Sequence, residues 1–293
     1  MITLFALPKP FRGHINVIQR NAITSWTRLC PRPEIILFGD DEGTAQAAQE
    51  FGLRHAPNIR RNEYGTPLLD DLFAQAQSLA RCELLCYVNA DILLLSDFTK
   101  AVERVAQWRD RFLMVGRRTD LDLDQLQDFD LPQCEGRLRR MALEKGRDGG
   151  VCAIDYFVFS RGVYASVPPL VLGRNAWDNW LIWNARSSKV PVVDASTVVS
   201  IIHQNHDYSH HPQGEAGVKS SEEAIKNRKL VGAKKAYTLD DATHKLTPRG
   251  VQWDATRVLR RWLFKTTAPI RRPLGLHRST VVSLLGRIGL TRS

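Results

Sequence analysis

Apolar positions in the first 115 residues follow two alternating rhythms. Short unbroken apolar runs at 1–7 (MITLFAL), 34–38 (EIILF), 84–88 (LLCYV) and 112–115 end in Pro, Gly, Asn or Asp, which predicts strands buried on both faces. Between the first two, Ile15, Ile18, Ala22, Trp26 and Leu29 recur every three or four residues, an amphipathic helix over 15–29. Further helices are predicted over 44–51 with Gly52 as C-cap, over 66–80 with Pro67 at the first helical position, and over 99–108; a brief strand falls within 53–59. The second half is less regular, with a strand over 151–160, a helix over 178–186 and one or two strands within 191–202. Strands alternating with helices predict an α/β fold, a mostly parallel central sheet flanked by helices. Ligands of such sheets bind beyond the carboxyl ends of the strands, where Asp40, Asp41, Asn89 and Asp91 stand.

Composition narrows the class. The chain has 293 residues, 43% hydrophobic and 25% charged, which is globular usage and excludes disordered and fibrous classes. No apolar run is long enough to span a bilayer, and the opening MITLFALPKPF lacks the features of a secretory leader. Five scattered cysteines fit reduced thiols, so a cytoplasmic location is expected. The net charge of +10 is uneven. Residues 226–293 hold 16 Lys and Arg against 3 Asp and Glu, so that segment alone carries +13 and the rest −3. No GxxxxGK[ST] loop, no GxGxxG after the first strand and no GxSxG elbow occurs, which argues against P-loop kinases, Rossmann dehydrogenases and serine hydrolases.

Four segments can carry chemistry. In CYVNADILLL, Asn89 and Asp91 follow a central strand and either cap the next turn or place oxygen ligands on a divalent cation shared with a diphosphate. Asp40 and Asp41 can accept hydrogen bonds from a ribose or base, or Asp41 can cap the helix beginning near Thr44. In IIHQNHDYSHH, His203 and His206 are candidate metal ligands, whereas His210 and His211 read as a solvated loop; manganese accepts such a mix of oxygen and nitrogen. In GRNAWDNWLIWNAR, Asp178 between Trp177 and Trp180 is either a helix cap or a general base against an aromatic platform on which a sugar ring would pack.

Taken in order, the PKPF loop, the strand ending in GDD, YVNADI, IDYFVF, WDNWLI and IHQNHDYSH resemble a bacterial and plant family of nucleotide-diphospho-sugar glycosyltransferases of the GT-A type, over residues 1–211. The resemblance implies a Rossmann-like nucleotide-sugar half (about 1–118), an acceptor half (about 119–211), and Mn²⁺ or Mg²⁺ at a D-x-D position that here reads Asn89, Ala90, Asp91. It further implies that Pro8, Asp40, Asp41, Asn89 and Asp91 meet the nucleotide sugar and that Asp155, Trp177 and Trp180 line the sugar or acceptor pocket. Asp178 would be the base of an inverting reaction, and His203 or His206 would join Asp91 on the metal.

The donor would be a UDP-, GDP- or TDP-sugar and the acceptor a glycan or lipid-linked hydroxyl. Retention of configuration is a rival, and so is a nucleotidyltransferase of the same fold, although PKPFRGH lacks the glycine-rich basic loop those enzymes usually show. Residues 212–293 are expected to form a basic helical extension. Its 250–293 part interleaves Arg with Trp, Leu and Phe and can lie on an anionic membrane, giving a peripheral protein; a nucleic-acid-binding role is the weaker reading.

Overall fold

The computed structural model describes residues 1–206, 220–257 and 259. The first half builds β1 (Ile2–Ala6), α1 (Gly13–Thr27), β2 (Glu34–Phe38), α2 (Thr44–Phe51), β3 (Arg54–Ala56), α3 (Leu69–Leu79), β4 (Leu84–Val88), β5 (Ile92–Leu94), α4 (Ser96–Trp108) and β6 (Leu113–Val115). There follow β7 (Thr119–Leu121), α5 (Cys134–Lys145), β8 (Arg147–Asp148), β9 (Tyr156–Ser160), α6 (Trp177–Ser187), β10 (Val192–Asp194), β11 (Ile201–Gln204), α7 (Glu222–Val231), β12 (His244–Thr247) and β13 (Gly250–Trp253).

Nine of the strands form the central sheet, in the order β13-β12-β10-β6-β9-β4-β1-β2-β3. Most pairings are parallel; β9 runs antiparallel to both β4 and β6, and β13 antiparallel to β12. Both faces are covered, as the unbroken apolar runs require. Leu4, Ala6, Cys86 and Val88 enter one apolar layer with Trp26 of α1, Ala48 of α2 and Phe98 of α4. Phe5, Leu85 and Tyr87 enter the other with Phe73 of α3 and Leu181 of α6. Phe73 centres that second layer, stacked on Phe159 (5.6 Å between ring centres) and edge-on to Phe5 and Tyr164.

A smaller sheet, β5-β11-β7-β8, stands beside the carboxyl end of β4. It determines where the chain goes after Asp91, because β5 begins at the next residue and pairs antiparallel with β11, Ile92 opposite His203. Trp26, fully buried, donates its indole N–H to the Ile92 carbonyl at 2.8 Å and so ties α1 to this junction. Trp26→Ala is expected to lower stability by about 3–5 kcal/mol through cavity formation, measured as a lower denaturant midpoint with an unchanged slope.

Several expectations are revised. Residues 151–155 turn rather than extend, and the strand begins at Tyr156. The helix expected from residue 66 begins at Leu69: Asn62 Oδ1 accepts from the backbone N–H of Tyr64 and Thr66 and closes a loop there, and Pro67 pairs with Arg61 as an isolated bridge. Asp41 does not cap α2, whose N-cap is Gly43, and Gly52 is its left-handed C-cap as expected. Asp178 is not a cap either; it sits in the first turn of α6, behind Ala176 at φ 85°.

The sheet also continues past residue 211, where the sequence suggests an extension begins. β12 pairs parallel with β10, Asp194 opposite Lys245, and of its four residues only Leu246 is buried, too little apolar patterning to read as a strand. The extension is therefore not purely helical, and residues 250–253 of the proposed membrane segment form β13. His210, His211, residue 258 and residues 260–293 lie outside the described residues. No helix among the described residues is long and apolar enough to cross a membrane.

Candidate active site

A cleft of about 690 Å³ opens at the carboxyl ends of β1, β2, β4 and β6. Pro8 and Lys9 after β1, Asp41 after β2, Asn89 and Asp91 after β4, and Arg118 after β6 line it. Asp155, immediately ahead of the antiparallel β9, joins them, as do Trp177 and Asp178 at the start of α6 and His203 and His206 at the end of β11. Residues far apart in sequence meet here because parallel strands deliver their loops to one edge.

Asp91, His203 and His206 form the tightest group, each offering a ligand atom within 4.8 Å of the others. His206 Nε2 lies 3.1 Å and His203 Nε2 3.8 Å from Asp91 Oδ2. The other oxygen, Asp91 Oδ1, is buried without a hydrogen-bond partner in the protein. A buried carboxylate oxygen left unsatisfied is costly unless something positive meets it, and one carboxylate with two imidazoles is a donor set that suits Mn²⁺. These residues therefore fit a divalent cation. Burial pushes the Asp91 carboxyl up, but His203, His206 and Lys9 outweigh it and hold the group well below the usual carboxylate range, so it is ionised. Lys9 Nζ lies 3.4 Å from His206 Nε2.

A second carboxylate stands behind the imidazole of His203. Its Nδ1 is 3.0 Å from Asp120 Oδ1 on β7, which leaves Nε2 directed toward Asp91. Burial lowers the proton affinity of His203, but Asp91 and Asp120 more than compensate and raise it. Carboxylates behind ligating imidazoles orient them and raise their basicity. Asp120→Asn is therefore expected to weaken Mn²⁺ binding about 10–100-fold, read by calorimetric titration of the protein with Mn²⁺ alone.

Asn89 has a different place from Asp91. Burial, reinforced by the charges of Asp91 and Asp155, keeps the Tyr87 phenol protonated, and it donates to Asn89 Oδ1 at 2.8 Å. Asn89 Nδ2 then donates to Asp155 Oδ1 at 2.6 Å, and Arg118 binds the other Asp155 oxygen at 2.8 Å. A carboxylate at position 89 would face Asp155 at that same short distance, two like charges together. The amide is thus matched to Asp155, and both of its ends are engaged within the protein.

Asp178 lies on the same cleft as the Asp91 group. Burial, with the nearby Asp155 charge, pushes its carboxyl up to about 6, against the helix-start N–H groups of Asn179, Asp178 and Ala176 that favour its charged form. A carboxylate poised close to neutral pH, beside the buried Trp177 ring, has the properties of a general base.

No protein-family model matches this sequence, and no curated protein matches it. Among solved structures, the fold is similar to that of S. aureus TarS 1–349 in complex with UDP-GlcNAc, at 11% identity and a TM-score of 0.51 over 79% of this chain and 65% of that one. Weaker likenesses are M. tuberculosis glucosyl-3-phosphoglycerate synthase (10% identity, TM-score 0.45, 80% of each chain) and the mannosyltransferase PcManGT from Pyrobaculum calidifontis, in complex with GDP-Man and Mn²⁺ (13% identity, TM-score 0.41, 69% of this chain and 56% of that one). The chain spans 57% and 36% of the lengths of two other TarS structures it matches. The α/β class with a mostly parallel, helix-flanked sheet and a GT-A-like architecture is thereby shown.

Two of the residues expected at the site stand apart from the cleft. Asp40 is exposed on a neighbouring groove, paired with Arg61 at 2.7 Å, and only Asp41 of that pair lines the cleft. Trp180 points into the core beside Trp183, because it lies one helical turn past Trp177 on the face packed against the sheet. Lys9, Arg118 and Asp120 are participants that sequence reasoning passed over. Lys9 is a single charge in a loop, Arg118 follows Arg117 in the loop after β6, and Asp120 lies in a three-residue strand, so none stands out in the sequence.

Proposed function

We propose that this protein is a glycosyltransferase of the family resembled by its YVNADI segment, transferring a sugar with inversion from a nucleotide diphosphate donor to a hydroxyl acceptor. The observation that carries the reading is the shared cleft: Asp91, His203 and His206 at one end, with a buried carboxylate oxygen that has no hydrogen-bond partner in the protein, and Asp178 lining the same cleft.

Asp91, His203 and His206 would hold Mn²⁺ or Mg²⁺. Bound there, the ion neutralises charge that builds on the departing diphosphate. Lys9, next to His206, adds a positive charge at that end. Asp178 takes the proton of the acceptor hydroxyl as its oxygen bonds to the anomeric carbon; the bond from that carbon to the diphosphate oxygen breaks, and the electron pair leaves with the nucleotide. Asp41, joined to Arg61 at 3.1 Å, and Pro8 face the donor, while Trp177 flanks the sugar. The UDP-GlcNAc bound by S. aureus TarS makes UDP-sugars the first donors to try. The reading includes a cytoplasmic protein whose basic residues 250–293 attach it to an anionic membrane carrying a glycan or lipid-linked acceptor, with the charge of residues 226–293 as support.

A thermal-shift screen of UDP-, GDP- and TDP-sugars with and without Mn²⁺ tests the reading, because a ligand bound only to the native state raises apparent stability, by about 2.7 kcal/mol at a hundredfold excess over Kd. One nucleotide class should raise the Tm, and only with Mn²⁺. Absence of a shift with every donor contradicts it.

A further inference from the structure

Three arginines line the cleft among the described residues, Arg61, Arg118 and Arg174, and each is already claimed by carboxylates. Arg61 lies 2.7 Å from Asp40 and 3.1 Å from Asp41. Arg118 donates to Asp155 at 2.8 Å and to Asp120 at 2.7 Å. Arg174 donates twice to Glu223 Oε2, at 2.6 and 3.0 Å, in a pair whose side chains are only 11% and 7% exposed. Glu223 belongs to α7, beyond the stretch covered by the sequence resemblance, and its other oxygen is taken by Asn62 at 2.6 Å, so it is fully engaged in place.

An anionic ligand needs a cation, or a set of backbone N–H groups, able to turn toward it. Turning Arg118 or Arg174 to a ligand would leave the buried carboxylate of Asp155 or Glu223 without its cation, held by the Asn89 or Asn62 amide. Asp155 offsets Arg118, Glu223 offsets Arg174, and Asp178 adds a further carboxylate near Asp155, while Lys9 stands beside Asp91. Among the described residues, each cleft arginine is therefore matched by a carboxylate, and Asp178 stands in excess of them before any donor diphosphate arrives.

Resting on the glycosyltransferase reading above, we propose that the acceptor is an uncharged hydroxyl compound, the end of a glycan or polyol, and that the cleft discriminates against phosphorylated acceptors of similar size. Any phosphate on a lipid-linked acceptor then lies outside the cleft.

The test uses the full chain saturated with UDP and Mn²⁺, so that the donor side is filled, and titrates glucose against glucose 6-phosphate by calorimetry. Glucose 6-phosphate should bind no more tightly than glucose; a preference for it of about tenfold or more overturns the proposal. In Glu223→Gln, Arg174 is released, and affinity for glucose 6-phosphate should rise about tenfold over the parent protein. An unchanged affinity in a folded variant shows that pairing is not what excludes anions and likewise overturns it. If the variant does not fold, the comparison of the two ligands on the parent protein decides alone. Failure of UDP to bind at all would defeat the glycosyltransferase reading instead, and the same titrations on the nucleotide-free protein would still decide whether anions are excluded.

Discussion

On the proposed glycosyltransferase reading, Asp178→Asn is expected to lower kcat for sugar transfer by roughly 10²–10⁴-fold, the range of a lost general base, while the affinity for the donor with Mn²⁺ stays within about twofold. The amide keeps the shape of the side chain and loses only its capacity to take a proton. On the same reading the parent protein should show an acid limb in kcat/KM, falling about tenfold per pH unit below about 6. The sign follows from the shift. A carboxyl raised in the folded state binds its proton more tightly there than in the unfolded chain, so at neutral pH its ionised form costs stability. That cost shrinks as pH falls below about 6 and is gone below the unfolded value of 3.8. Asn imitates the protonated form, so the variant should also be more stable than the parent at pH 7.5, by on the order of 1–3 kcal/mol. An inactive variant with a higher Tm separates lost chemistry from misfolding. Parental turnover in this variant removes Asp178 from the role of base.

Asp91→Asn is expected to abolish the Mn²⁺-dependent part of donor binding, a loss of about 10²-fold or more in nucleotide affinity and at least as much in transfer. Asp91 supplies the only carboxylate of the three-residue group, and its Oδ1 has no protein partner to lose. Its backbone carbonyl still accepts from Gln204, whose side chain also holds Ile18, so the loop is kept by contacts the substitution leaves alone. Calorimetry with Mn²⁺ and UDP, set beside a denaturation curve of the ligand-free variant, reads the two effects separately.

The parts of this site that were legible in the sequence share one cause. Asn89 and Asp91 follow an apolar run long enough to be central, Asp41 follows another, and His203 follows a third, so strand and exit can be read together. Asp178 was legible through its tryptophans, although Trp180 proved to serve the core. The smaller sheet was not legible, because β5, β7 and β8 have two or three residues each and carry no measurable period. With it went Asp120, and with the loop after β6 went Arg118. The hairpin of β12 and β13 escaped for a related reason: it is a sheet edge whose side chains are mainly polar or exposed, and its pairing with β10 is a tertiary fact. The match of Asn89 to Asp155 also needed three dimensions, since the two are 66 residues apart and opposed only through antiparallel β9.

The most direct measurement is electron–nuclear double resonance on Mn²⁺ bound to the protein with UDP. The account predicts phosphorus couplings from the diphosphate together with nitrogen couplings from two imidazoles, one lost in His203→Gln and the other in His206→Gln. Mn²⁺ that carries phosphorus couplings but no histidine nitrogen, or nitrogen couplings that survive both substitutions, would contradict it.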